Sequence, residues 1–208
     1  MKLYTTGLSP NALRARAVIL ELGLPVELEE VNLRDAAAKV AALLPYNPNT
    51  KVPVLVDGDF VLWESRAIIA YLADGTPLYP ADRKRRAIVD QWMYWGAIHL
   101  GPALQRISFE RFMKPRFDMG TPDEAAMAPQ LKEAAQFLPV LDGALAAGDW
   151  IAGELSIADF AIATTLIYRE PAGIDCSALP NLLAWMNRIE ARPSWQKAVA
   201  PITAFIAG

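Results

Sequence analysis

The first 23 residues combine a short β-capable run with a helix of clear 3.6-residue periodicity. Lys2 to Thr6 predicts a strand, which Gly7 ends. Ser9 and Pro10 then mark a helix start, with Ser9 as the N-cap and Pro10 at the first helical position, where its missing N–H costs nothing. Gly23 is expected to end this helix. The apolar face of the helix is formed by Ala12, Ala15, Val18, Ile19 and Leu22.

The alternation of strand and helix continues after this first helix. Val26 to Leu33 alternates partly between apolar and polar positions and predicts a second strand. Asp35 to Leu44 is an alanine-rich stretch that predicts a short helix, which Pro45 would end.

Two apolar runs around a turn dipeptide follow. Val52 to Val56 and Phe60 to Trp63 flank Asp57-Gly58, a pair that favours a tight hairpin between strands. Glu64-Ser65 then opens a helix that reaches Ala73. The resulting order β-α-β-α-β-β-α predicts a four-stranded mixed sheet with helices on its faces.

Pro53 stands near the start of the first of these apolar runs. A proline lacks the N–H that a ladder hydrogen bond needs, so it fits best at the first residue or the edge of a strand. The backbone of its neighbour Val52 is therefore left unpaired with a strand. Such a backbone is free to pair with something else, such as an extended peptide.

The C-terminal part of the chain has helical spacing almost throughout. Arg83 to about Met113 predicts one long helix, and Lys114 to Pro122 predicts an irregular segment. Asp123 to Ala147 predicts a second long helix, which Pro129 and Pro139 could start, kink or interrupt. Shorter helices are predicted over Leu182–Ala191 and Trp195–Ile206.

A capping box begins the most apolar of these helices. Ser156 is its N-cap, and Asp159 replaces the usual Glu at the third helical position. The segment Phe160 to Tyr168 is nearly all apolar and is predicted to form the buried axis of the helical region. Asp159 has a structural role in this interpretation, and Asp159→Ala should cost about 0.5–2 kcal/mol.

The stretch from Asp74 to Pro80 contains two prolines and a glycine and has no periodic signal, which is typical of a linker. The predicted organisation is an α/β domain over residues 1–74, a linker over 75–82 and an all-helical domain over 83–208.

Composition excludes several classes of function. The 208 residues carry a formal net charge of −3, which gives no field to attract nucleic acid or an anionic membrane. One cysteine, Cys176, allows no internal disulfide, and with the single histidine, His99, it argues against a dedicated zinc site. The N-terminus has no apolar signal core, and no uncharged run of about 18 apolar residues occurs, so a cytoplasmic location is expected.

Ser9 is the strongest candidate for chemistry. Its hydroxyl lies at a helix N-terminus just beyond a strand, where unpaired N–H groups and the helix dipole favour negative charge. No sequence neighbour suggests a base that would make it a nucleophile, and nothing supports a triad with His99. Two interpretations stay open from these features: Ser9 is only an N-cap, or it donates a hydrogen bond to an anion at the helix start.

The ordered motifs of the whole chain resemble those of the cytosolic glutathione S-transferases, specifically members with a serine-type active site like those of bacteria. The resemblance implies a thioredoxin-like N-terminal domain followed by a helical-bundle domain. The motifs that carry it are Ser9-Pro10-Asn11, Asn47 to Pro53, Leu62 to Ile68 and the capping box from Ser156 to Asp159.

The resemblance also implies a role for individual residues around glutathione. Val52-Pro53 would be a cis-proline element whose Val52 backbone pairs with the cysteinyl part of glutathione. Glu64 would pair with the ammonium of the γ-glutamyl end, and Ser65 with the helix N-terminus would receive its carboxylate. Ser9 would hydrogen-bond the thiol sulfur. Further glutathione-binding candidates are Asn11 and, for the glycyl carboxylate, Lys39 and Lys51.

A pocket for an electrophile is expected in the cleft that the family has between its domains. An aromatic stripe at helical spacing is more often part of a core, and His99 could equally lie in a core or on a helix surface. Tyr4 is assigned to the core, and Cys176 is expected to be a buried small apolar residue. The candidates for the pocket are Leu8, Trp95, His99, Ser108, Phe109 and Phe112.

The function that the resemblance implies is transfer of the glutathione thiolate to a small electrophile, with glutathione as co-substrate and no metal. The expected partners are glutathione, the electrophile and a second copy of the chain, with no nucleic acid and no membrane. Two alternatives stay open. One keeps the glutathione site for peroxide reduction, isomerisation or dehalogenation; the other is a transferase-like protein that binds or regulates without turnover.

Overall fold

The computed structural model describes residues 1–208 and divides into two compact units. The first unit contains Met1–Tyr79 together with Ala191–Gly208, and the second contains Pro80–Glu190. The sequence assigned residues 191–208 to the helical domain, whereas they pack with the N-terminal residues. None of the helices combines the length and the apolarity that crossing a bilayer requires.

The first unit is built on the predicted four-stranded mixed sheet. Its strands are β1 Lys2–Thr5, β2 Glu27–Glu30, β3 Val54–Asp57 and β4 Phe60–Trp63, in the order β2-β1-β3-β4. β1 pairs with β2 in parallel, and the other two pairings are antiparallel. β2 is four residues long, shorter than predicted, and all its side chains are exposed. Its three glutamates suit an outer strand, because charged side chains discourage further pairing at an edge.

The helices of this unit match the predicted positions closely. They are α1 Pro10–Leu22, α2 Ala36–Leu43, α3 Ser65–Ala73 and, at the C-terminus, α10 Pro193–Ala207. Gly23 ends α1 in the left-handed conformation, with φ of 62°. Helix α1 packs against both α3 and α10. It is therefore buried along the whole stretch 12–19 and not on one face alone, so that Arg14 and Arg16 are inside the protein.

The C-terminal helix is held to α1 by polar contacts at its start and within its first half. Glu21, near the end of α1, accepts hydrogen bonds from Arg192 and from the hydroxyl of Ser194. Arg16 donates a hydrogen bond from Nη2 to the carbonyl of Ala198 at 3.2 Å. These contacts, together with the packing of α10 on α1, tie residues 191–208 to the sheet-bearing unit.

The second unit is all-helical, as predicted. A continuous helical segment, Arg83 to Arg116, takes the place of the single long helix, and it extends into the predicted irregular segment. The helices of the unit are α4 Arg83–Trp95, α5 Gly101–Ser108, α6 Lys114–Arg116, α7 Glu124–Leu145, α8 Ile157–Ala163 and α9 Pro180–Glu190.

Two π-helical turns, Gly96–Leu100 and Phe109–Met113, interrupt the long segment. Each ends two residues before a proline, Pro102 and Pro115 respectively. A proline inside an α-helix has no N–H to donate, and its ring presses on the carbonyl four residues earlier. A wider turn relieves that pressure without ending the helix. In α7, by contrast, Pro129 and Pro139 are accommodated without interrupting the assigned helix.

The predicted capping box is present and is part of a larger buried network. Asp159 Oδ2 accepts from the backbone N–H and the hydroxyl of Ser156, at 2.9 and 3.1 Å. Its Oδ1 accepts from the Ile151 N–H at 3.0 Å and from the Trp185 indole at 2.9 Å. Asp159 therefore ties three segments together as well as capping α8. Helix α8 itself ends at Ala163, earlier than predicted.

Candidate active site

Ser9 occupies the N-cap position of α1, as predicted. Its Oγ accepts a hydrogen bond from the Ala12 N–H at 3.3 Å, and its backbone is extended. A serine hydroxyl has one hydrogen and two lone pairs, so accepting this bond leaves its O–H able to donate. The side chain is half-buried. Ser9 can thus cap its helix and act as a donor at the positive end of the helix dipole at the same time.

The loop that precedes Ser9 is fixed by a buried arginine that the sequence analysis missed. Arg16 donates to the carbonyls of Thr6 and Gly7 and to the Thr5 hydroxyl. From the sheet side, the Gly7 N–H donates to Glu30 Oε1 at 2.8 Å. The position of Ser9 is therefore set from both sides of this loop. The available signal was the presence of two arginines, Arg14 and Arg16, in the otherwise apolar stretch from Ala12 to Leu20.

The Val52–Pro53 peptide bond is cis, in agreement with the sequence-based expectation. Val52 lies two residues before β3 and outside the sheet. The turn ahead of it is held by Asn47, which is buried and donates from Nδ2 to the Lys51 carbonyl at 2.9 Å. Asn47 was quoted in the sequence motif, but its supporting role was not foreseen.

Glu64 and Ser65 stand at the start of α3. Glu64 has φ of 72°, a left-handed conformation that costs a residue other than glycine about 1–3 kcal/mol and is common at ligand sites. Its side chain makes no capping hydrogen bond, so the first N–H groups of α3 lack a side-chain acceptor. Ser65 is buried, and its Oγ accepts from Arg14 Nη1 at 2.6 Å.

Arg14 connects the two helix starts and was also missed. The same Nη1 donates to Asn11 Oδ1 at 2.8 Å, and the side chain is 1% exposed. Burial lowers the pKa of Arg14 well below its ordinary value, Arg66 lowers it further, and Glu64 opposes both. An arginine nevertheless stays protonated in a protein. Asn11 and Ser65 are thereby joined through one buried cation.

The two lysines proposed for the glycyl carboxylate lie on other segments. Lys39 is half-buried on α2, and Lys51 is exposed directly before the cis bond. Their role stays a prediction. Within the described residues, no group of three or more His, Cys, Asp or Glu side chains is placed to hold a metal ion.

The aromatic candidates of the second unit fall into separate groups. His99 is exposed in the first π turn, and its ring lies 5.1 Å from Phe137 and 6.5 Å from Trp95, centre to centre. Phe112 packs on Tyr168 at 5.5 Å. Phe137 and Tyr168 were not among the candidates.

The remaining pocket candidates differ widely in exposure. Leu8 is half-buried in the loop of the first unit. Ser108 is buried at the end of α5, whereas Phe109, the next residue, is exposed. A role for any of these residues at a second substrate stays a prediction.

Tyr4 and Cys176, which the sequence analysis assigned to the core and not to the active site, differ in how far they are buried. Tyr4 is half-buried and packs against Tyr46 with ring centres 5.1 Å apart. Cys176 is buried, and burial raises the pKa of its thiol, which disfavours the reactive thiolate. This burial agrees with the assignment of Cys176 as a small apolar residue.

Comparison with known proteins matches both parts of the chain. Residues 1–74 match the glutathione S-transferase N-terminal domain, and residues 100–193 match the glutathione S-transferase C-terminal domain. The chain belongs to the glutathione S-transferase family. The predicted family, the thioredoxin-like fold with a helical second domain and the enzyme class are all confirmed.

Relatives from plants and bacteria align over nearly the whole chain. Glutathione S-transferase 3 from Zea mays is 36% identical over 97% of this chain and 94% of its own. A solved structure of glutathione S-transferase-I bound with lactoylglutathione is 31% identical, with a TM-score of 0.86 over 96% of this chain and 98% of that one. A glutathione S-transferase from Pseudomonas fluorescens is 30% identical, with a TM-score of 0.82 over 93% and 96%.

Proposed function

We propose that this glutathione S-transferase binds glutathione in its first unit and transfers the thiolate to small, mostly apolar electrophiles. The observation that carries the proposal is the Ser9 hydroxyl at the N-cap of α1, able to donate at the positive end of a helix in a chain of this family. The lactoylglutathione bound to a relative supports a glutathione-type ligand.

The tripeptide would be held by three segments of the first unit. The backbone of Val52, outside the sheet and beside the cis bond, would pair with the cysteinyl part as a short antiparallel strand. Glu64 would pair with the ammonium, while Ser65 and the uncapped N–H groups of α3 would receive the γ-glutamyl carboxylate. Lys51 and Lys39 are the candidates to pair with the glycyl carboxylate.

The proposed role of Ser9 is to stabilise the thiolate and not to act as a nucleophile. A cysteinyl thiol has a pKa near 8.5, so only a minority is ionised at neutral pH. Lowering that pKa by about two units needs roughly 2.7 kcal/mol of preference for the thiolate. A hydrogen bond to a charged group contributes about 1.5–3 kcal/mol, so one donor with help from the helix dipole has the required size.

The second substrate would react where the thiolate is held, and Leu8, Trp95, His99, Ser108, Phe109 and Phe112 remain the candidates for its pocket. Peroxide reduction, isomerisation and dehalogenation would use the same thiolate, so product analysis with each substrate type distinguishes them from conjugation. The homodimer and the cytoplasmic location expected from the sequence also remain predictions.

The decisive experiment compares Ser9→Ala with the wild type. We expect turnover with a model electrophile to fall by about 100-fold, which is the loss of about 2.7 kcal/mol of transition-state stabilisation. The dissociation constant of glutathione should change little, because the rest of the tripeptide site is intact. Ser177→Ala, an exposed serine of the second unit, is the matched control. Equal losses in turnover and in glutathione affinity would reject the role of Ser9, and no binding at millimolar glutathione would favour a protein without turnover.

A further inference from the structure

A buried cation on α1 contacts the hydroxyl at the start of α3. Arg14 Nη1 lies 2.6 Å from Ser65 Oγ, a residue 51 positions away, and 2.8 Å from Asn11 Oδ1. Both Arg14 and Ser65 are almost completely buried, at 1% and 5% exposure. Removing a guanidinium from water is costly, and an apolar side chain of similar volume would often be as stable or more stable there. A purely structural need does not readily explain a charge at this position.

The contact fixes what the Ser65 hydroxyl is able to do. An arginine only donates, so Ser65 Oγ must be the acceptor of this hydrogen bond. The single hydrogen of the hydroxyl is then left to donate in another direction. The positive charge of Arg14, which donates to Ser65 Oγ, also polarises the Ser65 O–H bond. Linked hydrogen bonds strengthen one another in a buried site, so this O–H becomes a better donor. Ser65 is thereby prepared to donate to an anion.

The surroundings of Ser65 favour the same kind of ligand. Glu64 leaves the first turn of α3 without a side-chain cap, so the N–H groups of that turn lack a side-chain acceptor. Arg66 adds a second guanidinium, whose Nε–H is buried and has no hydrogen-bond acceptor within the protein. The hydroxyl, the helix end and the two cations suit a carboxylate at this place.

We propose that Arg14 is a positioning residue for the γ-glutamyl carboxylate of glutathione, acting through Ser65. The inference rests on the proposed function, because it deepens the same glutathione site. Arg14 does not touch the ligand in this arrangement. Because Ser65 Oγ accepts a hydrogen bond from Arg14, its O–H is directed away from Arg14 and can donate a hydrogen bond to the carboxylate. Through Asn11 it also links this end of the site to the helix start that carries Ser9, two residues earlier.

The test is a double-substitution cycle on glutathione affinity, measured by isothermal titration calorimetry with reduced glutathione. Ser65→Ala and Arg14→Met should each weaken binding about tenfold, the size of one lost hydrogen bond to a charged group. If Arg14 acts through Ser65, the double variant should be only about twofold weaker than either single variant. Glu21→Ala, which loosens the other end of the same helix, should leave the dissociation constant unchanged.

The outcomes separate the two proposals. Unchanged affinity in Arg14→Met, or a full additional tenfold loss in the double variant, overturns the positioning role while leaving glutathione binding intact. Absence of binding by the wild type overturns the proposed function and this inference with it. If Arg14→Met does not fold, as judged by circular dichroism, Arg14→Lys takes its place. In Arg14→Lys, the shorter ammonium should weaken glutathione binding about threefold, and Ser65→Ala should have a smaller effect in this background than in the wild type. If Arg14→Lys binds glutathione as tightly as the wild type and Ser65→Ala keeps its full effect in it, the positioning role is overturned.

Discussion

Arg16 Nη2 donates a hydrogen bond at 3.2 Å to the carbonyl of Ala198, a residue 182 positions later in the chain. The same guanidinium holds the carbonyls of Thr6 and Gly7, in the loop that leads to Ser9. One buried side chain therefore joins the C-terminal helix to the loop that positions the candidate catalytic hydroxyl. The last helix therefore contacts the loop before Ser9 through Arg16, although none of the candidate site residues lies on that helix.

Arg16→Met should lower turnover more than it weakens glutathione binding, because it releases the loop ahead of Ser9 and leaves Val52, Glu64 and Ser65 in place. We expect kcat to fall about tenfold, since misplacing a catalytic group by a fraction of an ångström is costly. Steady-state kinetics with varied glutathione measures the effect. Lys197→Met, an exposed cation on the same C-terminal helix, is the control. A rise in KM alone would contradict the proposed support of Ser9.

Gly101→Ala should destabilise the protein, because a Cβ at this position would lie 2.5 Å from the carbonyl oxygen of Gly96 across the π turn. Overpacking of this kind costs about 1–3 kcal/mol. Gly143→Ala provides the opposite case, since nothing lies within 4 Å of its added Cβ on α7. That variant should gain about 0.5–1 kcal/mol. Urea denaturation of both variants checks the signs, and a Gly101→Ala variant as stable as the wild type would show that the π turn gives way easily.

Asp159→Ala should cost more than the loss of a helix cap. Its removal leaves the buried N–H groups of Ile151 and Ser156 and the indole N–H of Trp185 without their acceptor. Each unsatisfied donor costs about 1–3 kcal/mol, so we expect a loss on the order of 4 kcal/mol. The comparison is Asp123→Ala, an exposed N-cap on α7 that should cost about 1 kcal/mol. Equal losses in denaturant titrations would mean that the wider network adds nothing to the cap.

Glu21 should make stability depend on pH in the acid range. Burial raises the pKa of Glu21, but the hydrogen bonds from Arg192 and Ser194 outweigh it, and the pKa lies below its ordinary value. A carboxyl group whose pKa is lower in the folded state stabilises the fold at pH values above its unfolded-state pKa, which is about 4.3 for Glu. That contribution is lost as pH falls through the folded-state pKa. The difference in unfolding free energy between the wild type and Glu21→Gln should thus be largest near pH 7 and shrink below about pH 4. A difference that stays constant from pH 7 to about pH 3 would contradict this assignment.

Local signals in the sequence were enough to predict most of the fold. Ser9 with Pro10 marked the start of α1, Gly23 marked its end, and the spacing of Ser156 and Asp159 gave the capping box. These features depend on neighbours a few residues apart, and that is the range in which sequence patterns carry physical information.

The features that failed depend on partners far along the chain. The sequence analysis gave Arg14 and Arg16 no role, but both are buried on α1, which packs against α3 and α10. Their distant partners, Ser65 and Ala198, lie 51 and 182 residues away, so no periodicity could indicate them. The π turns had a visible cause in Pro102 and Pro115, yet the choice between ending, kinking and widening a helix is made by packing and not by the proline alone.

The joining of the last 18 residues to the first unit has a consequence for synthesis on the ribosome. The helical unit has all of its residues once Glu190 has been made, whereas the sheet-bearing unit must wait for α10. Chains usually complete their N-terminal domain first as they emerge. Here the order is reversed: the sheet-bearing unit begins first and is completed after the helical unit. The loop before Ser9 gains its link to Ala198, through Arg16, only after every residue of the helical unit has been made.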